Sequence, residues 1–271
     1  MKRSLPVLAG LGAASAFLPR AWMGAWGALL LAFVLMAAPA FADHLPDKSK
    51  DFAAAGWMVA TAVVGLVAQG ALYRIGVTAS PAEARKLGLG LGGLQFGLPE
   101  LRLLGASVFV SVFLALIAGA FVLVLAFVLT AERAGLPSLC EVVSGVRKGQ
   151  GWAIWLAVIG LIAAWTLVQV SVRVSLFKPA TVARGRLVSV DALALSHGAF
   201  WPLFMGLVVV LAPVALLGAW QHGLFGPGMV MPISSKAYAV ARAAFLSLVE
   251  LPFGIGFLSY AYNRLEYRPK G

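Results

Sequence analysis

Few side chains in this sequence are placed to do chemistry, and the sharpest is a glutamate set among apolar residues. Glu250 lies in Ser247-Leu248-Val249-Glu250-Leu251-Pro252, inside the last long hydrophobic run. An ionised carboxylate is costly in hydrocarbon, so a carboxyl at that depth is by default a functional candidate. Gln69, Thr166 and Gln169 sit in other apolar runs and could line a polar seam with it, suited to a proton or a cation. The competing role is packing, in which a hydrogen-bonded carboxyl pins neighbouring helices together. Pro252 bears on both roles, because it has no amide hydrogen and frees the carbonyl of Leu248 four residues earlier. Arg242 precedes Glu250 by eight residues, about 12 Å along a helix, which is too far for a direct pair.

The other chemistry-bearing residues form no constellation. Asp43-His44-Leu45-Pro46-Asp47, with Asp51, is a polar stretch holding one histidine. A metal centre needs three or four convergent ligands with a supporting shell, and a short proline-containing run does not supply them. His197 and His222 stand singly at the ends of apolar runs and read as interface residues. Cys140 is the only cysteine, which excludes an intrachain disulfide or a CxxC pair. Gly88-Leu89-Gly90-Leu91-Gly92-Gly93 has the glycines of a phosphate loop. It lacks both the strand-to-helix context of a dinucleotide fingerprint and a Gly-Lys-Ser/Thr ending, so a flexible link is expected there. No cofactor, metal or catalytic residue is expected, and the chain reads as non-enzymatic.

The elements that carry these residues are long and apolar. Of 271 residues, 61% are hydrophobic and 11% charged, against roughly 25% charged in soluble domains. Mean hydropathy is +0.94. Six runs are long enough to cross a hydrocarbon layer about 30 Å thick: 22–38, 54–69, 105–129, 152–169, 200–219 and 238–261. The expected fold is all-α, a single transmembrane domain occupying residues 1–271. Met36-Ala37-Ala38-Pro39-Ala40-Phe41-Ala42 has the small-residue pattern of a signal-peptidase site. The segment before the first run is mostly apolar rather than short and basic, so that run is expected to remain a span.

A net charge of +11 and a pI near 10.3 would suggest nucleic acid in a soluble protein. Here the basic residues cluster at span ends, where they set orientation and meet anionic headgroups, so no nucleic acid is expected. The termini and the second and fourth loops with their flanks carry fourteen Lys and Arg; the opposite side carries six. By the positive-inside rule both termini are cytoplasmic. Leu72-Tyr73-Arg74, Ser171-Val172-Arg173 and Tyr262-Asn263-Arg264 close three pairs of apolar runs. An arginine so placed can snorkel its charge to the headgroups, so Arg74, Arg173 and Arg264 are expected to be lipid anchors at one depth. Before each pair comes a segment expected to lie in the inner interface: Leu8 to Leu18, Pro81 to Leu91 and Val188 to His197. Together these features suggest three repeats of an interfacial helix plus a hairpin. Small residues four apart (Gly56 with Ala60, Ala115 with Gly119, Ala215 with Ala219) nominate sites of close helix approach.

The stretch from Arg173 through Lys178-Pro179-Ala180 to Ser196-His197-Gly198-Ala199-Phe200-Trp201-Pro202-Leu203-Phe204 resembles a pattern of bacterial inner-membrane proteins. It is similar to six-span families without an assigned activity and to the membrane domain fused to some glycerophosphodiester phosphodiesterases. Gly93-Leu94-Gln95-Phe96-Gly97-Leu98-Pro99-Glu100-Leu101-Arg102-Leu103-Leu104 resembles a segment of proteobacterial membrane proteins. The phosphodiesterase barrel is absent, so the resemblance implies a bacterial inner-membrane location and carries no catalytic residues. The function expected is structural or regulatory, through lipid or protein contacts at the cytoplasmic face. The alternative is a small transporter or channel-like protein that uses Glu250.

Overall fold

The computed structural model describes residues 5–44, 47–131, 139–188, 191–221 and 235–266. Every regular element among them is helical. The helices are α1 (Val7–Ala37), α2 (Asp47–Val77), α3 (Pro81–Lys86), α4 (Leu98–Ala131), α5 (Leu139–Arg147), α6 (Gly151–Val174), α7 (Phe177–Arg184), α8 (Ala192–Leu195), α9 (Phe200–Gln221), α10 (Ser235–Phe245) and α11 (Leu251–Leu265). Six helical segments are long and apolar enough to cross a membrane. Each run expected from the sequence falls on one of them.

The centre is a triad of α1, α2 and α11. Phe17, Ala21, Ala25 and Leu29 of α1 interlock with Leu72 and Ile75 of α2 and with Ile255 of α11. A second cluster joins Leu203 and Val210 of α9 to Phe257 and Ala261 of α11, and to Leu176 and Ala180 near α7. Helices α4 and α6 pack on each other and stand further out, with Leu116, Leu123 and Leu161 largely exposed. In water such a face would be an aggregation hazard; on a multi-pass membrane protein it is the surface that meets acyl chains.

Backbone chemistry at Pro252 takes the form expected, with a solution that the sequence did not show. The proline ring and its missing N–H cannot continue a regular α-turn, and the helix widens over Leu246–Glu250 into a π-turn, with the Leu251 amide bonded to Leu246 O. The freed carbonyl of Leu248 accepts from the Trp22 indole Nε1 at 2.7 Å. A sequence-remote tryptophan thus satisfies an acceptor that would be expensive to leave open in a lipid environment.

Three expectations need correction. Leu8 to Leu18 is not a separate interfacial element but the first part of α1, which continues through Pro19 and bends at Ala25 (φ −128°, ψ 24°). It is held to α11, with Gly10 against the Phe257 ring and Gly256 against Phe17. Next, Gly56 and Gly119 are not points of close approach, because nothing lies within 4 Å of a Cβ placed at either. Tight approaches between helices fall instead at glycines such as Gly10, Gly24, Gly76, Gly206 and Gly256. Finally, the glycine run before α4 is a packed wedge, not a flexible link. Gly92 (φ +60°) and Gly93 (φ +76°) adopt left-handed conformations that seat the loop against Ala25, Trp26 and Gly27 of α1.

Helix α3 begins on a variant of the capping box, with Pro81 at its first position. Ser80 Oγ accepts from Glu83 N at 3.3 Å. Glu83 Oε2 accepts from Ala79 N, one residue before the cap, at 3.0 Å. Helix α7 falls where the sequence reading had a loop. It ends on Gly185 (φ +61°), and Thr181 Oγ1 both donates to Val188 O and accepts from Val188 N.

Candidate functional site

The polar chemistry of the described residues concentrates where α2, α6 and α11 end, with α3 and α7 beside them; we call this the basic end. At its centre is a buried ion pair. Arg74 Nη2 lies 2.6 Å from Glu100 Oε1, and each side chain is 1% exposed. Arg74 Nε also donates to Leu87 O at 2.9 Å, tying α2 to the end of α3. Glu100 Oε2 accepts from the Gly97 amide at 3.0 Å, so the same carboxylate caps the first turn of α4. A Cβ at residue 70 would lie 2.9 Å from Glu100 Oε1, so glycine there is what lets the pair form against the α2 backbone.

This finding corrects the expectation for Arg74. A headgroup anchor needs an exposed guanidinium, and this one is enclosed with a carboxylate. Of the other two arginines, Arg173 is half-buried and Arg264 exposed, so the three do not occupy equivalent environments. Glu100 was missed as a site residue. The available signal was Gly97-Leu98-Pro99-Glu100, a helix start with proline in its first turn and glutamate three residues after the cap.

Around the pair, cations tie one segment to another. Arg20 Nη2 donates to Thr78 O at 3.2 Å and Ile75 O at 3.4 Å. Arg102 Nη1 donates to Gly185 O at 2.5 Å. These carbonyls lie at the ends of α2 and α7, where positive charge complements the helix dipole. Lys178 Nζ donates to Gln69 Oε1 at 2.7 Å, and Arg184 Nε meets Glu266 Oε1 at 2.9 Å. Arg85, Lys86 and Arg186 remain exposed, and their side chains have no hydrogen bond or ion pair among the described residues.

The polar seam proposed around Glu250 is not assembled. Gln69 is engaged by Lys178 on α7. Thr166 and Gln169 are half-buried on α6, which packs chiefly on α4, α5 and α9, whereas the π-turn bearing Glu250 packs on α1, α9 and α10. No hydrogen bond joins Glu250 to Gln69, Thr166 or Gln169 among the described residues. Two clefts open at the basic end, one beside Tyr262 and Asn263 and the other between α1 and α3, and neither reaches Glu250. No group of three or more His, Cys, Asp or Glu that could hold a metal occurs among the described residues. His197 is exposed in the turn before α9. The side chains of Asp43, His44, Asp47, Asp51 and Cys140, and all of His222, lie outside the described residues.

Fold and site together define a multi-pass α-helical membrane protein with a cross-tied, basic polar end. The chain matches no protein-family model, no curated protein and no solved structure.

Proposed function

We propose that this chain is a non-catalytic protein of a bacterial inner membrane, acting through lipid or protein contacts made by its basic end on the cytoplasmic face. The observation that carries this reading is the division of labour among the cations. Arg20, Arg74, Arg102, Lys178 and Arg184 are bonded across segments and fix the platform, while Arg85, Lys86 and Arg186 are exposed without hydrogen-bond or ion-pair partners among the described residues. A fixed surface with unpaired cations suits anionic headgroups or an acidic partner. The excess of Lys and Arg on this side supports its cytoplasmic orientation.

The test is purification of the full chain in mild detergent with native mass spectrometry of what stays bound. The expected result is retention of anionic phospholipid, a defined membrane-protein partner, or both. A bare protein, or one that turns over a lipid substrate, would sink the proposal.

A small transporter is the second reading, and one observation favours it. The Glu250 carboxyl is half-buried on a π-turn, a local geometry common at functional sites. In proteoliposomes carrying a pH-sensitive dye, the leading reading expects wild-type protein and Glu250→Gln to show the same background proton flux. A wild-type flux abolished by Glu250→Gln would replace the leading reading with this one.

A further inference from the structure

The cleft between α1, α3 and the 88–92 loop has a volume of about 770 Å³ and combines two kinds of wall. One is cationic: Arg20 from α1 and Arg85 from α3 both line it, with the Ser80 hydroxyl nearby, and no carboxylate is among its lining residues. Arg20 spends only Nη2 on the Ile75 and Thr78 carbonyls, which holds its guanidinium in place and leaves Nε and Nη1 without hydrogen-bond partners among the described residues. Arg85 has no side-chain partner among the described residues. Guanidinium groups that are held or poised this way match phosphate oxygens with paired N–H donors.

The other wall is apolar and open to the outside. Met23 and Trp26 line the cleft and are 75% and 61% exposed. Leu30 and Val34 are exposed further along α1, and beyond the bend at Ala25 the spacing of residues 26, 30 and 34 puts these three on one helix face. An apolar track therefore leads from the two arginines along a helix of membrane-spanning length. The third side is fixed in shape, since Gly92 at φ +60° packs against Trp26 and Gly27. A water-soluble anion would use the arginines and gain nothing from the track. A diacyl lipid uses both.

We propose that this cleft binds the phosphate of an anionic phospholipid between Arg20 and Arg85, with acyl chains lying along Met23, Trp26, Leu30 and Val34. This rests on the reading of the basic end as a contact surface and names one site and one ligand class within it. The experiment is a native mass spectrometry titration of the full chain with phosphatidylglycerol and with phosphatidylcholine of the same acyl chains. Wild-type protein should prefer phosphatidylglycerol, and Arg20→Gln with Arg85→Gln should lower that preference about tenfold or more. Arg20 also supports α2, so Arg85→Gln alone, which breaks no side-chain hydrogen bond or ion pair among the described residues, should lower the preference by itself. Lys86→Gln with Arg186→Gln removes the same charge elsewhere and should change it by less than about twofold.

An equal loss in that control pair would show diffuse attraction, overturning the site while leaving the contact-surface reading intact. An unchanged preference in the Arg20 and Arg85 variants would overturn it too. Displacement of the lipid by millimolar inorganic phosphate would assign the arginines to a soluble anion and also overturn it. A wild-type protein that retains neither anionic lipid nor partner would bring down both proposals together.

Discussion

Replacing Glu100 should be among the most damaging single changes in the protein. Glu100→Gln or Glu100→Ala leaves the Arg74 guanidinium enclosed without its counter-charge, and removing one member of a buried pair costs about 3–5 kcal/mol. The two directions are not equivalent. Arg74→Met leaves a carboxyl, which has a neutral form available, whereas Glu100→Ala leaves a guanidinium, which has none. Glu100→Ala should therefore be the worse variant. Replacing both together, as Arg74→Met with Glu100→Leu, should recover much of the loss, because an apolar pair of similar bulk needs no desolvation of charge. The readout is helix content during SDS titration of the purified protein, with yield of membrane-inserted protein as the second measure. A Glu100→Ala protein that unfolds like wild type would show that Arg74 and Glu100 are not locked together. The function proposed for the basic end depends on this outcome, since the pair joins α2 to α4 and, through Leu87, to α3.

The parts of this fold that were legible in the sequence are those governed by local composition. Six spans followed from uninterrupted apolar runs, because hydrocarbon length fixes helix length. The exposed carbonyl at Leu248 followed from Pro252, because proline's effect is confined to one turn. What closes that carbonyl was illegible, since Trp22 is 226 residues away in sequence. Arg74 was misread for a related reason. An arginine at the end of an apolar run snorkels unless a carboxylate meets it, and that carboxylate arrives from the start of α4 after an intervening helix and loop. Helix α7 escaped because it is only eight residues long, contains a proline, and is set by tertiary contacts to α2 and α4 rather than by its own periodicity. The glycines show the same limit. A four-residue spacing marks a face smooth enough for close approach but does not say which face a neighbour occupies, so Gly56 and Gly119 were chosen where Gly76 and Gly206 are used.

Gly206→Ala should be the most disruptive addition of a single methyl group. A Cβ there would overlap the Phe257 ring at Cζ, Cε2 and Cε1. Whether one methyl is tolerated depends on whether the ring can retreat. Phe257 is fully buried, and its Cε2–Cδ2 edge, next to the atoms that Gly206 faces, packs against Gly10 of α1, where an added Cβ would sit 3.0 Å from Cε2. The ring therefore lies where α9 and α1 both meet α11, with little room to turn aside. Overpacking of a filled core costs about 1–3 kcal/mol, and a direct overlap with a fully buried ring places this case at the upper end. Gly10→Ala should cost less, because its nearest ring atom lies 3.0 Å away, a tight contact that a shift of a few tenths of an ångström relieves. Shortening the ring should relieve the clash, so Gly206→Ala with Phe257→Leu should be more stable than Gly206→Ala alone even though Phe257→Leu is itself destabilising. The coupling in this double-mutant cycle should favour the pair by about 1 kcal/mol or more, the size found for residues in direct contact. Additive losses across the cycle would mean that α1, α9 and α11 do not meet at Phe257, and the triple junction that sets the orientation of α1 would have to be redrawn.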